Sequence, residues 1–164
     1  QGFGRQCIVV ACHASPARSG WATVAPSGSI PIVHSIHHLN FIVADLEAAI
    51  PRWEAILGLP VTHRDELPER GVIAARFRVG DTWLVLVQPT RADSVPGRFL
   101  AERGEGFFLL SFGVDSLDDE VARAGEAAFA GPVRTGADGW QVRDLAPGRA
   151  ALPVVLQYTA ARRP

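Results

Sequence analysis

The chain has 164 residues, a length that suits one domain with a substantial buried core. Hydrophobic residues make up 48% and charged residues 20%, which is typical of a globular protein and excludes a disordered, highly charged chain. The net charge of -1 gives no electrostatic reason to expect nucleic acid or an anionic membrane as a partner, and no apolar run is long enough to span a bilayer.

Residues 1–33 differ from the rest, because they are rich in Gly, Ser, Ala and Pro without sustained periodicity. We expect them to form a loosely ordered extension to a single domain over 34–164. The apolar stretch from Cys7 to Cys12 is too short, and too soon interrupted, for a signal peptide. Two cysteines are too few to indicate a disulfide framework, and we therefore predict a cytoplasmic location.

The domain is predicted to begin with a strand and a capped helix. The strand runs over 35–43, and Asp45 caps a helix whose apolar residues fall at helical spacing. Gly58 ends this helix, and Pro51 inside it predicts a kink or a loosened first turn. Three further strands are predicted over 61–67, 72–79 and 82–88.

A linker containing Pro89, Pro96 and Gly97 is predicted to lead into a second half. This half opens with a strand over 106–114, after which Ser116 caps a helix that runs to Ala124. The dipeptide Gly131-Pro132 is then expected to break the chain. Two further strands are predicted over 140–144 and 153–158.

An internal similarity relates the two halves. Residues 41–47 align with residues 112–118, and in both places an apolar strand leads through a capping residue into an acidic first helical turn. A duplicated strand–helix–strands unit predicts an α+β fold with two βαβββ repeats, over about 35–89 and 105–159, around a shared cavity. The alternative is a local echo of the kind that any α+β chain can contain.

Five segments in this order resemble a known superfamily: 36–46, 56–59, 68–72, 79–82 and 99–106. With them the chain is similar to the vicinal-oxygen-chelate superfamily, which includes the glyoxalases and bleomycin-resistance proteins, and within it to the methylmalonyl-CoA epimerases. The resemblance covers about 35–159. It implies a glyoxalase-like half-barrel that binds a small molecule and pairs as a homodimer.

The same resemblance implies a divalent metal held by four side chains, two from each half. Their positions in this sequence are occupied by His38, Val85, Leu109 and Gln157. Valine and leucine have no donor atom, and a neutral glutamine binds a divalent cation more weakly than glutamate does. We therefore predict no metal and no other cofactor.

The alternative is a metal site that has moved to other histidines. His34, His37 and His63 are available for such a site. Because side chains alternate along a strand, however, His37 is expected on the face opposite His38. This alternation argues against a relocated site.

Residues that share a face with these four positions predict an apolar cavity with a few polar groups, as in small-molecule sites. The predicted substrate-binding residues are Asn40, Trp83, Val85, Leu109, Ser111 and Gln157. His38 either contacts the ligand or belongs to a hydrogen-bonded core network, and core packing is the alternative for Trp83.

The resemblance also places Glu69 next to the reacting carbon, where its carboxylate would act as a general base with His38 as the second catalytic residue. The alternative for Glu69 is a solvated loop position. Arg64, Arg76 and Arg78 are candidates for binding an anionic group of the ligand.

Two functions follow from these residues. The first is a metal-independent isomerase or lyase that acts next to a carbonyl of an acyl thioester or similar small metabolite. The second is a non-catalytic protein that binds a small molecule, in the manner of bleomycin-resistance proteins. The sequence favours the enzyme, and a missing set of two His and one carboxylate argues against a dioxygenase.

Overall fold

The computed structural model describes residues 33–149 and 153–161, which form eight strands and three α-helices. The first half contains strands β1 (Val33–Ile42), β2 (His63–Leu67), β3 (Val72–Val79) and β4 (Thr82–Pro89). The second half contains strands β5 (Gly106–Val114), β6 (Phe129–Thr135), β7 (Gln141–Leu145) and β8 (Val155–Ala160). The helices are α1 (Leu46–Leu57), α2 (Val95–Arg103) and α3 (Leu117–Ala124).

All eight strands belong to one curled sheet with the order β2-β3-β4-β1-β5-β8-β7-β6. Within each half the first and last strands pair in parallel, β1 with β4 and β5 with β8. The halves join where β1 and β5 run antiparallel at the centre of the sheet. This arrangement confirms the predicted α+β half-barrel with two βαβββ repeats.

The first helix of each half begins and ends at the predicted residues. Asp45 accepts a hydrogen bond from the Ala48 amide at 3.0 Å, and Gly58 ends α1 with a φ of 66°. Ser116 caps α3 in the same way, through the Asp119 amide. Helix α1 is continuous through Pro51, and its apolar side packs on β3 and β4 to form one core cluster.

Helix α2 replaces the predicted linker, so that prediction is wrong. Ser94 caps the helix by accepting a hydrogen bond from the Gly97 amide at 3.0 Å, and Pro96 lies in the first turn, where its missing N–H costs no hydrogen bond. A Cβ at Gly97 would lie 2.2 Å from the carbonyl oxygen of Arg91, so only glycine fits there. The residues that indicated a linker therefore start a helix.

Strand β6 runs through Gly131-Pro132, where we expected a break. Ala130 pairs with Asp144 of β7 and Arg134 pairs with Val142, so four residues of β6 lie opposite two of β7. The glycine and the proline therefore lie in a bulge. Strand β6 is also the last strand of the sheet, and an edge strand tolerates the missing amide of proline.

The N-terminal extension and its two cysteines lie in residues 1–32, outside the described residues. Among the helices that are described, none is long and apolar enough to cross a membrane.

Candidate functional site

The four central strands form the floor of a cavity of about 490 Å³, a volume typical of small-molecule sites. His38 and Asn40 of β1, Val85 of β4, Leu109 of β5 and Gln157 of β8 all line it. The pairing of the strands brings these side chains together, because Asn40 lies opposite Val85 of β4 and opposite Leu109 of β5. Residues from both halves thus share one cavity.

The residues at the four inherited ligand positions do not fit a divalent metal. Val85 and Leu109 are buried in an apolar cluster and offer no donor atom, which leaves one imidazole and one amide. Elsewhere in 33–149 and 153–161, no group of three or more His, Cys, Asp or Glu residues is placed to hold a metal ion. The side chains at these four positions therefore do not form a divalent-metal site.

Restoring the donors is expected to create a metal site. The triple variant Val85→Gln, Leu109→His, Gln157→Glu should bind Mn²⁺ or Co²⁺ at about one ion per chain, because all four positions line the same cavity. The parent protein should carry no stoichiometric metal, and EDTA should leave its melting temperature unchanged. Elemental analysis of both proteins is the measurement, and one tightly held ion in the parent would contradict the prediction.

His37 does not lie on the face opposite His38, so the prediction from strand alternation is wrong. Ile36 pairs with Phe112 and His38 with Ser111, which makes His37 an extra residue in a β-bulge of β1. The two imidazoles consequently meet, with their Nδ1 atoms 2.9 Å apart. The ring of His37 also packs edge-on against Trp140, at 4.3 Å between centroids.

Both histidines are neutral near neutral pH. Burial, reinforced by His37, Arg70 and Arg76, lowers the pKa of His38 to about 3. Burial together with the charges of Arg78 and His34 lowers the pKa of His37 to about 4. Two neutral rings allow one Nδ1–H to donate to the other Nδ1, which leaves Nε2 of His38 for a ligand.

The low pKa of His38 predicts a pH-dependent stability. Its unfolded-state pKa is near 6.5, so in the window between 6.5 and about 3 the unfolded chain binds a proton that the folded chain excludes. Stability should therefore be constant above that window and fall as the pH decreases through it. For His38 alone the loss between about pH 7.5 and pH 5 should reach roughly 2 kcal/mol.

Urea unfolding at a series of pH values measures this loss. His38→Gln removes the titrating ring and should flatten the pH dependence by that amount. His63→Gln is the matched control, since His63 is an exposed histidine of β2 outside the cavity. An unchanged pH dependence in His38→Gln would show that His38 is not buried in its neutral form.

Two amide side chains complete the polar part of the floor. Gln157 donates from Nε2 to Asp144 Oδ1 at 2.8 Å, and the same carboxylate pairs with Arg134 at 2.6 Å. Asn40 differs, because its Oδ1 is buried without a hydrogen-bond partner in the described part of the chain. A buried carbonyl oxygen without a partner is costly, so a ligand that donates a hydrogen bond to Asn40 would stabilise the site.

Glu69 lies at the rim of this cavity. It is the middle residue of a short 3₁₀ turn, Pro68–Arg70, that Gly71 closes with a φ of 64°. The side chain is exposed yet lines the cavity, so solvent and a bound ligand both have access to it. The carboxylate and the polar floor therefore face one space.

Two of the predicted substrate-binding residues do not line the cavity. Ser111 is fully buried in the sheet, with its hydroxyl 2.6 Å from that of Thr159. Trp83 packs instead under the guanidinium groups of Arg76 and Arg78, at 5.1 and 4.9 Å from its ring centroid. Trp140 of the second half is the tryptophan that lines the cavity.

None of the three arginines proposed for an anionic ligand is free for that role. Arg76 is buried and bonded to two carboxylates, Asp65 and Asp138. Arg64 pairs with Glu47, and neither Arg64 nor Arg78 lines the cavity.

Sequence reasoning missed Arg70 and Arg134, which do line the cavity. Arg70 could have been predicted, because it directly follows Glu69 in the sequence. The position of Arg134 depends on the bulge in β6, which no sequence pattern revealed.

The chain belongs to the Glyoxalase/Bleomycin resistance protein/Dioxygenase superfamily, whose family model matches residues 37–143. Among solved structures, a Streptomyces coelicolor methylmalonyl-CoA epimerase variant in complex with 2-nitronate-propionyl-CoA is 27% identical, with a TM-score of 0.70. That match covers 78% of this chain and 97% of the other. The methylmalonyl-CoA epimerase of Mycobacterium tuberculosis has the same fold, with a TM-score of 0.74 at 23% identity over 84% of this chain and 95% of the other.

Two relatives match by sequence. Human mitochondrial methylmalonyl-CoA epimerase is 30% identical over 96 residues, which are 58% of this chain and 54% of the human protein. YqjC of Bacillus subtilis is 28% identical over 89 residues, 54% of this chain and 64% of that protein. The chain thus spans between half and two thirds of the length of these curated relatives. It is a vicinal-oxygen-chelate protein related to the methylmalonyl-CoA epimerases.

Proposed function

We propose that this protein is an enzyme that moves a proton at the carbon next to a carbonyl group, without a metal. Its substrate would be an acyl thioester or a similar small metabolite. The relation to methylmalonyl-CoA epimerases supports the reaction class. The observation that carries the proposal is a carboxylate, Glu69, at the rim of the cavity whose floor holds neutral His38 and two amides.

In this reaction the Glu69 carboxylate removes the proton from the α carbon, and the electron pair of the C–H bond moves into the carbonyl group. The resulting enolate oxygen needs hydrogen-bond donors. His38 Nε2 can donate when its Nδ1 accepts from His37, and the amide of Asn40 or Gln157 can supply a second N–H. Each such donor is worth about 3 kcal/mol of barrier height in comparable sites.

The carboxyl group then returns the proton to the same carbon, so no atom is gained or lost and no redox partner is required. Return to the same face only exchanges the hydrogen. The epimer forms when the enolate turns its opposite face towards the Glu69 carboxyl group before the proton returns. The apolar floor around Val85 and Leu109 strengthens these hydrogen bonds by keeping water away. We place this reaction on a homodimer, as the sequence resemblance implies, and in the cytoplasm, as the low cysteine content indicates.

Hydrogen exchange at the α carbon is the direct test. The protein is incubated in deuterium oxide with a panel of acyl-CoA thioesters, and loss of the α-hydrogen signal is followed by NMR. We expect exchange with at least one compound at a rate well above that in buffer. Absence of exchange across the whole panel would overturn the proposal.

A second candidate is non-catalytic binding of a small molecule. It is favoured by one observation, the replacement of two metal-ligand positions by buried Val85 and Leu109, which enlarges the apolar surface of the cavity. Tight binding of an apolar compound without any α-hydrogen exchange would support this function over the enzyme.

A further inference from the structure

A cationic side chain without a carboxylate partner lies in the cavity wall. Arg70 is half-buried, lines the cavity and donates a hydrogen bond to the backbone carbonyl of Thr135, across the gap between the two halves. In the described part of the chain no carboxylate forms an ion pair with it, although Glu69 is its neighbour in sequence. A half-buried guanidinium that is hydrogen-bonded only to a neutral carbonyl has no negative charge to compensate its own.

Burial and a neighbouring guanidinium both disfavour the charged form of Arg70. Burial and the nearby charge of Arg134 both lower the pKa of Arg70, while Glu69 and Asp144 act in the opposite direction. Arg134 is neutralised by Asp144, whose second role is to accept from Gln157. Arg70 is therefore the cation of this wall that a ligand can still neutralise.

The other guanidinium groups of the cavity are already engaged. Arg76 holds two carboxylates, and Arg91 pairs with Asp93 at 3.3 Å. Arg98, like Arg70, is bonded to a backbone carbonyl, that of Asp93, but its side chain is exposed and therefore hydrated. Among the described residues that line the cavity, Arg70 is thus the half-buried arginine without an ion pair.

In contrast to the charged wall at Arg70, a large part of the cavity floor is apolar. The buried side chains of one continuous apolar cluster line it, namely Val72, Ala74, Val85, Val87, Phe108 and Leu109. An oxygen-rich group placed against this cluster, away from His38, Asn40 and Gln157, would lose water without gaining a hydrogen bond. A hydrocarbon group gains from the same burial.

We propose that the ligand is an amphiphilic anion, with a hydrocarbon group on the floor formed by Val85 and Leu109 and a carboxylate or phosphate at Arg70. The inference rests on the proposed function only in sharing its cavity, since it names the ligand class and requires no turnover. The cavity volume of about 490 Å³ is within the usual range of small-molecule sites.

Isothermal titration calorimetry with octanoate, octyl phosphate and 1-octanol tests the anionic end. We expect at least one of the two anions to bind about tenfold or more tightly than the alcohol, and the stronger of them identifies the head group. A series of alkanoates from butanoate to decanoate tests the apolar end. Each added methylene group should lower Kd by about fourfold until the floor is filled.

Arg70→Gln should remove the preference for the anion and leave octanol binding unchanged. Arg64→Gln is the matched control, because it removes the same charge from an exposed position outside the cavity. Two results with the parent protein would overturn the inference: octanol binding as tightly as both anions, or a Kd that does not change with chain length. Neither result requires Arg70→Gln to fold. Thioester exchange without this selectivity would reject only the ligand class, and selective binding without exchange would reject only the enzyme.

Discussion

Replacing Arg76 with methionine is expected to lower the free energy of unfolding by about 3 kcal/mol. The guanidinium is 2% exposed and donates to Asp65 at 2.6 Å and to Asp138 at 2.5 Å. It also contacts two indole rings, at 5.1 Å from the centroid of Trp83 and 5.6 Å from that of Trp140. Methionine fills part of the space but leaves two carboxylates near each other without a cation.

The size of this loss in stability depends on how deeply the two carboxylates are buried. Asp65 is mostly buried and loses the cation with which it pairs. Asp138 is half-exposed and can be hydrated, so we expect less than the full penalty of a broken buried pair. Arg64→Met is the matched control, since its ion pair with Glu47 is exposed and should contribute less than about 1 kcal/mol. Urea unfolding of both variants decides the point, and equal losses would refute a structural role for Arg76.

Replacing Glu69 with glutamine is expected to reduce α-hydrogen exchange by ~100-fold or more while ligand affinity changes little. Glutamine keeps the shape and the hydrogen-bonding reach of glutamate but cannot accept the proton. The comparison requires kcat and KM separately, because a loss confined to KM would indicate a binding role. Glu66→Gln is the matched control, as Glu66 is an exposed carboxylate of β2 that does not line the cavity.

Parental turnover in Glu69→Gln would remove this residue from the mechanism, whichever substrate is found. A comparable loss in Glu66→Gln would show that the general charge of this segment, rather than a positioned base, controls the rate.

Most of the fold could be predicted because local patterns and long-range pairing agree. Strands β3 and β5 and helix α3 have the predicted bounds, since turn glycines and capping residues stand at their ends. Helix α2 and strand β6 could not be predicted, because both contain glycine and proline at places where tertiary structure removes their usual cost. The close approach of Gly97 to the Arg91 carbonyl is visible only in the folded chain.

The floor of the site could be predicted, since the resemblance and the strand alternation identified His38, Asn40 and Gln157. The same alternation predicted the wrong face for His37, the residue before His38. A single extra residue in β1 turns His37 towards His38, and a bulge of this kind leaves no mark in the composition of a strand. The contact of Arg76 with Asp138 could not be predicted either, because it joins β3 to a turn 62 residues later in the chain.

Helix α2 has no counterpart in the second half, and this difference affects how the cavity treats mirror-image ligands. The backbones of the four floor strands are related by an approximate twofold, β1 and β4 in the first half corresponding to β5 and β8 in the second. The walls differ, with the residues that start α2 on one part of the rim and the turn that carries Trp140 on another. A planar enolate would therefore have a different wall on each of its two faces, and helix α2, which lies between the two βαβββ repeats, would contribute to the discrimination between enantiomers.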